Sequence, residues 1–200
     1  LRSVSRGFVC RRVDAVIFPS QLVCDWHIAN ISNKMNAYEL PIIHKDEVFR
    51  GELRKSVKAA NENIIKYDLL NKKTLLFVGR LVTVKNLPFL IEVFKQIKKQ
   101  NIALIIVGGG ILSEKLKAQF DNSIEMNEIY FTGRLEGLDL ISWYLVSDIF
   151  ILPSTYEPFG AVINEALLSG CFSLCSSKAG ASSLINSRNG KIFNPIDEVD

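Results

Sequence analysis

Ser147 to Gly170 reads SDIFILPSTYEPFGAVINEALLSG. A short apolar strand (Ile149, Phe150, Ile151, Leu152) ends at Pro153, a polar loop carries Glu157, and a helix opens near Phe159 and Gly160 and runs through Glu165 to Gly170. Strand, loop and helix N-terminus in that order are how open α/β sheets bind phosphate esters at their carboxyl edge. Glu157 precedes the helix and Glu165 lies about two turns into it, so both carboxylates can face the space into which the N–H groups of Phe159, Gly160, Ala161 and Val162 point. A carboxylate beside a phosphate is repelled unless it is placed on hydroxyls. A nucleotide sugar satisfies all of these demands, with its diphosphate on the helix N-terminus, its sugar hydroxyls on Glu157 and its ribose hydroxyls on Glu165.

Working outward, the chain from Thr74 onward alternates buried apolar runs with amphipathic segments, the pattern of a parallel sheet covered on both faces. Strands are expected at Thr74–Val78, Ala103–Val107, Ile129–Thr132, Ile149–Leu152 and Phe172–Cys175. Helices are expected near Leu87–Lys99, Ser113–Phe120, Leu138–Val146, Gly160–Ser169 and Ala181–Asn186. The expected fold class is α/β, a Rossmann-like parallel sheet with helices on both faces, occupying residues 74–200.

Upstream, DAVIFP (14–19) is a short β-like run, and Ser20 is the expected N-cap of a helix reaching about Asn33. Ala37 to Ile43 is extended again, broken by Pro41. The 45–73 run is dense in charge and amide and reads as a solvated linker with a helical portion, to which no chemistry is assigned.

With 200 residues, 48% of them hydrophobic, the chain can bury one sizeable core. A net charge of +3 gives no footprint for nucleic acid. No uninterrupted apolar stretch reaches the roughly 18 residues a membrane span needs. Cys10, Cys24, Cys171 and Cys175 form no CxxC pair and no cluster with His27 or His44, so free thiols are expected.

Gly79 and Arg80 end the strand that opens at Thr74, and Lys85 follows in the next loop. Expelling a nucleoside diphosphate requires its charge to be stabilised. With no Asp-x-Asp metal signature in the chain, that work falls to fixed cations and helix dipoles, here Arg80 and Lys85. Gly108, Gly109 and Gly110 follow another apolar strand without GxGxxG spacing or a P-loop Lys-Ser/Thr, which makes them a tight turn bringing backbone close to a ligand.

The EPFGAVINEAL segment, two glutamates separated by seven residues, resembles the paired-glutamate motif of retaining glycosyltransferases of family 4, which have the GT-B fold. FVGRLVTVKN, IIVGGG, IYFTGRL and NGKIFNP fall in that family's order and spacing, so the resemblance covers residues 74–195 well and 1–50 weakly. It implies that Glu157 orients donor-sugar hydroxyls, that Glu165 holds the ribose, that neither is the attacking nucleophile, and that Arg134 or Leu135, after Gly133, meets the base. It implies transfer with retention from a UDP-, GDP- or ADP-linked sugar to a glycan or lipid-linked acceptor, with neither metal nor other cofactor. On this reading residues 1–50 are the tail of an N-terminal acceptor domain, 51–73 the linker and 74–200 the donor domain. Most of the first domain is then missing, the strand at 14–18 lacks its sheet partners, and the 200 residues alone do not transfer sugar. The expected setting is the cytoplasm, with peripheral contact at the inner face of the membrane within its scope.

One segment departs from the resembled pattern. Where the family tends to have Gly-Gly followed by an acidic residue, this chain has Ala179, Gly180, Ala181, Ser182 and Ser183. A domain that binds a nucleotide sugar without transferring it is therefore the second reading. A dinucleotide-binding oxidoreductase is the third, and it lacks both GxGxxG and a suitably placed acidic residue.

Overall fold

The computed structural model describes residues 7–10, 12–43, 45–97, 101–120 and 128–196. Its centre is a six-stranded, wholly parallel sheet built from β3 (Lys73–Val78), β4 (Ile102–Val107), β5 (Ile129–Gly133), β6 (Ile149–Leu152), β7 (Phe172–Ser176) and β8 (Gly190–Phe193). The spatial order is β5-β4-β3-β6-β7-β8. Counting from β3, this is the 3-2-1-4-5-6 order of a doubly wound sheet, whose direction of winding reverses between β3 and β6.

The strands are apolar on both faces because both faces are covered. In β3, Leu75 and Phe77 join one core cluster with Leu87, Leu90 and Ile91 of α3 (Leu87–Gln96) and Leu116 of α4 (Ser113–Phe120). Leu76 and Val78 point the other way, into a cluster with Trp143 and Tyr144 of α5 (Gly137–Val146) and Ile163 and Ala166 of α6 (Ala161–Leu168). Period-two alternation within an unbroken apolar run is the mark of a strand buried on both sides.

All five expected strands are present, within one residue at either end. β8 has no counterpart among the expected elements; it is a sheet-edge strand with few apolar residues, and it sits close because Gly190 carries no Cβ, which would fall 2.1 Å from the Ser173 carbonyl oxygen. Two expected helices differ. The segment expected as a helix over Ala181–Asn186 is a 3-10 turn at Gly180–Leu184, and α3 ends at Gln96, with the predicted end at Lys99 outside the described residues.

The charged run proves to be more than a solvated linker. It forms a 21-residue helix, α2 (Asp46–Lys66), whose Phe49, Leu53, Ser56 and Ala60 make a single buried stripe. Phe49 and Leu53 pack on Ile141 of α5, and the Asn63 side-chain amide donates to the Ser142 hydroxyl at 2.9 Å.

The strand expected to lack partners has one. β1 (Val16–Phe18) pairs in parallel with β2 (Ala37–Glu39), with α1 (Gln21–Asn30) between them. Ser20 caps α1 as expected, its hydroxyl accepting from the Val23 amide at 3.4 Å.

Candidate functional site

The reversal of winding places two loops side by side. The β3 loop carries Gly79, Arg80 and Lys85; the β6 loop carries Glu157 and leads into α6. They are joined directly, since the Thr155 amide donates to the Val84 carbonyl at 2.9 Å and Lys85 Nζ is ion-paired with Glu157 Oε2. That pair is largely sheltered, with side chains only 13% and 17% exposed. An ammonium and a carboxylate meeting in such a place serve as each other's counter-charge.

Gly160 sets the helix entry. It has φ +95°, the left-handed region, and a Cβ there would lie 2.8 Å from Leu152 and 3.2 Å from the Glu157 side chain. Phe159 is buried in the core, so its backbone rather than its ring is what the loop can present. The α6 N-terminus therefore begins directly beside the Lys85–Glu157 pair. Glu165, two turns on, is bonded elsewhere: the Tyr144 hydroxyl donates to its Oε2 at 2.7 Å.

A cavity of about 640 Å³ opens over the carboxyl ends of β3, β4 and β5, lined by Val78, Gly79, Arg80, Val107 to Gly110, Arg134 and Leu135. The glycine run makes this cavity by letting two loops approach closely. A Cβ on Gly108 would fall 1.8 Å from the Gly79 carbonyl oxygen, and one on Gly110 2.5 Å from that of Leu81. Arg134 reaches the cavity with its guanidinium already held by Glu136, at 2.5 Å and 3.0 Å.

The structure thus gathers the predicted residues into two adjoining groups. Gly79, Arg80, Gly109, Arg134 and Leu135 line the cavity; Lys85, Glu157, Phe159, Gly160, Ala161 and Val162 form the neighbouring loop and helix entry, and Glu165 stands farther along α6 on Tyr144. Among the described residues no three His, Cys, Asp or Glu side chains are gathered as a metal ion would need. All four cysteines are free thiols. Burial, with the Glu157 charge adding to it, pushes the Cys175 thiol up to about 12, and burial likewise raises Cys171 to about 12, so neither is a nucleophile at neutral pH.

One supporting contact carried no sequence signal. The Ser20 hydroxyl, 138 residues away in the chain, donates to the Pro158 carbonyl at 2.6 Å. The segment that departs from the resembled pattern pairs with the glutamate loop, since the Glu157 amide donates to the Lys178 carbonyl and the Gly180 amide to the Glu157 carbonyl, both at 3.0 Å.

The family described as glycosyl transferases group 1 matches residues 60–198, well over half of the chain. The chain belongs to that family. A glycosyltransferase of Methanocaldococcus jannaschii is 31% identical over 175 residues, 86% of this chain and 41% of that protein. The alpha-monoglucosyldiacylglycerol synthase of Streptococcus pneumoniae is 29% identical over 169 residues, 82% of this chain and 37% of that one. Among solved structures, Anabaena HepE in complex with UDP and glucose superposes with a TM-score of 0.80 at 20% identity, over 97% of this chain and 53% of that one. Sucrose-phosphate synthase from Thermosynechococcus elongatus gives 0.77 at 21%, over 98% and 49%. The chain therefore spans less than half the length of these curated relatives and about half that of these solved ones. Its fold is the Rossmann-like α/β arrangement of GT-B glycosyltransferases. Among the described residues no helix is long and apolar enough to cross a membrane.

Proposed function

We propose that the protein binds a nucleoside-diphosphate sugar and forms the donor side of a retaining, metal-independent transfer of the family 4 type. The observation that carries this reading is the meeting of Lys85 and Glu157 at the N-terminus of α6, where the winding of the sheet reverses. Arg80, Lys85 and the first N–H groups of α6, those of Gly160, Ala161 and Val162, take the diphosphate and stabilise the charge it gains on leaving. Glu157 orients the sugar hydroxyls, Glu165 takes the ribose, and the cavity between Gly109 and Leu135 receives the nucleoside. A diphosphate entering here draws Lys85 from Glu157 and frees the carboxylate for the sugar. The acceptor, a glycan or a lipid-linked group, meets the donor from an N-terminal domain of which residues 1–50 are the end.

UDP is the first nucleotide to test, because the HepE structure superposed above holds UDP and glucose. A thermal-shift panel of UDP, GDP, ADP, their sugar conjugates and NAD should show stabilisation by at least one diphosphate and none by NAD. A panel in which no diphosphate raises the melting temperature would overturn the proposal. The pairing of the Ala179–Ser183 segment with the Glu157 loop favours a second reading, a donor-binding domain without turnover. Sugar transfer by the full-length protein separates the two.

A further inference from the structure

Tyr144 lies on α5, 1% exposed, with its ring 5.9 Å from that of Phe150 in the main core. A phenylalanine would fill such a place without a hydroxyl to satisfy, and a buried hydroxyl is costly unless it is hydrogen-bonded. The Tyr144 hydroxyl donates to a charged partner on another helix, Glu165 Oε2 at 2.7 Å. Burial first, and the Glu165 charge after it, hold the phenol well above its ordinary range, so at neutral pH it is a protonated donor. The donor is itself fixed in place. The Tyr144 carbonyl accepts from the Cys171 thiol at 3.3 Å and from the Ser147 amide at 3.4 Å, tying this turn of α5 to the start of β7.

A glutamate on a helix surface samples several rotamers, and ordering it on a ligand costs affinity that a pre-set side chain retains. We propose that Tyr144 is a positioning residue that sets the Glu165 carboxylate for the ribose hydroxyls and thereby selects ribonucleotides over their deoxy analogues. This rests on the assignment of Glu165 to the ribose made above. Tyr144 acts only through Glu165. Its removal costs what the carboxylate contributes to hydroxyl recognition and leaves the phosphate contacts intact.

The test is calorimetry on the full-length protein with UDP and 2′,3′-dideoxy-UDP, in the wild type, Tyr144→Phe, Glu165→Gln and the double variant. The wild type should prefer UDP, and Tyr144→Phe should reduce that preference roughly tenfold, the loss of one charge-assisted hydrogen bond, with binding of the dideoxy compound unchanged. The double variant should be no weaker than Glu165→Gln alone, since the two residues act as one unit. The preference is a ratio, so a lower folded fraction of any variant does not alter it. If Glu165→Gln abolishes the preference and Tyr144→Phe leaves it intact or weakens both ligands equally, the positioning role is overturned while the ribose assignment stands. If Glu165→Gln leaves the preference intact, or the wild type shows none, the ribose assignment fails and the inference fails with it.

Discussion

At the scale of single residues, the site is a set of charges that answer one another. Arg80 is exposed at the cavity wall while Lys85 is neutralised by Glu157, so the two cations differ in what a diphosphate must displace to reach them. Arg80→Ala should weaken UDP binding by about 1.5–3 kcal/mol, the range for a hydrogen bond to a charged group, and should leave uridine almost unaffected. Calorimetry on both ligands reads the difference. Glu165→Gln should cost bare UDP more than Glu157→Gln does, because every nucleotide has the ribose and only the conjugate has the sugar; equal losses would end that division of labour. Glu157, Glu165, Arg80 and Lys85 stand out as candidates in the sequence because they fall in short motifs, and the fold brings Lys85 onto Glu157 while Glu165 meets Tyr144. Tyr144 and Ser20 do not stand out, because their partners lie 21 and 138 residues away and only the fold brings them together.

At the scale of elements, legibility followed apolar density. β3 and β4 announce themselves as unbroken apolar runs, whereas α2 buries about one residue per turn and shows mostly charge in sequence. Two glycines make opposite predictions on this basis. Gly180 holds the crowded point where Ser20, Pro158 and the glutamate loop meet, and a Cβ there would lie 2.3 Å from the Pro158 carbonyl oxygen. Gly180→Ala should therefore destabilise the protein by about 1–3 kcal/mol in urea unfolding and also weaken UDP binding. Gly51 sits within α2, where an added Cβ would meet nothing within 4 Å, and Gly51→Ala should stabilise by about 0.5–1 kcal/mol. Asp148 joins the starts of β3 and β6. Burial raises its carboxyl, but hydrogen bonds from Lys73 and Thr74 outweigh that and hold it below the usual carboxylate range. A depressed folded value means stability that is present above about pH 4 and lost as the pH falls through the folded value. The stability gap between wild type and Asp148→Asn should be full at pH 7 and close below about pH 4, as denaturant titrations across that range would register.

At the scale of the whole molecule, the strand order is what turns scattered motifs into a site. Periodicity in the sequence marks parallel strands but carries no neighbour list. That β6 pairs with β3, setting the Glu157 loop beside Lys85, follows from where the chain reverses its winding. Under the proposed function this face is one wall of the transfer site, since transfer needs a second wall that closes over the sugar and brings the acceptor into register. Whether a nucleoside diphosphate seats at this reversal point is read by amide NMR of the protein titrated with UDP, GDP and ADP. At least one of the three should shift the amide signals of Gly79, Arg80, Gly109 and Gly160 to Val162, while those of β2 stay in place. Binding that moved the β2 signals and left the Gly160–Val162 amides untouched would contradict seating at the reversal point.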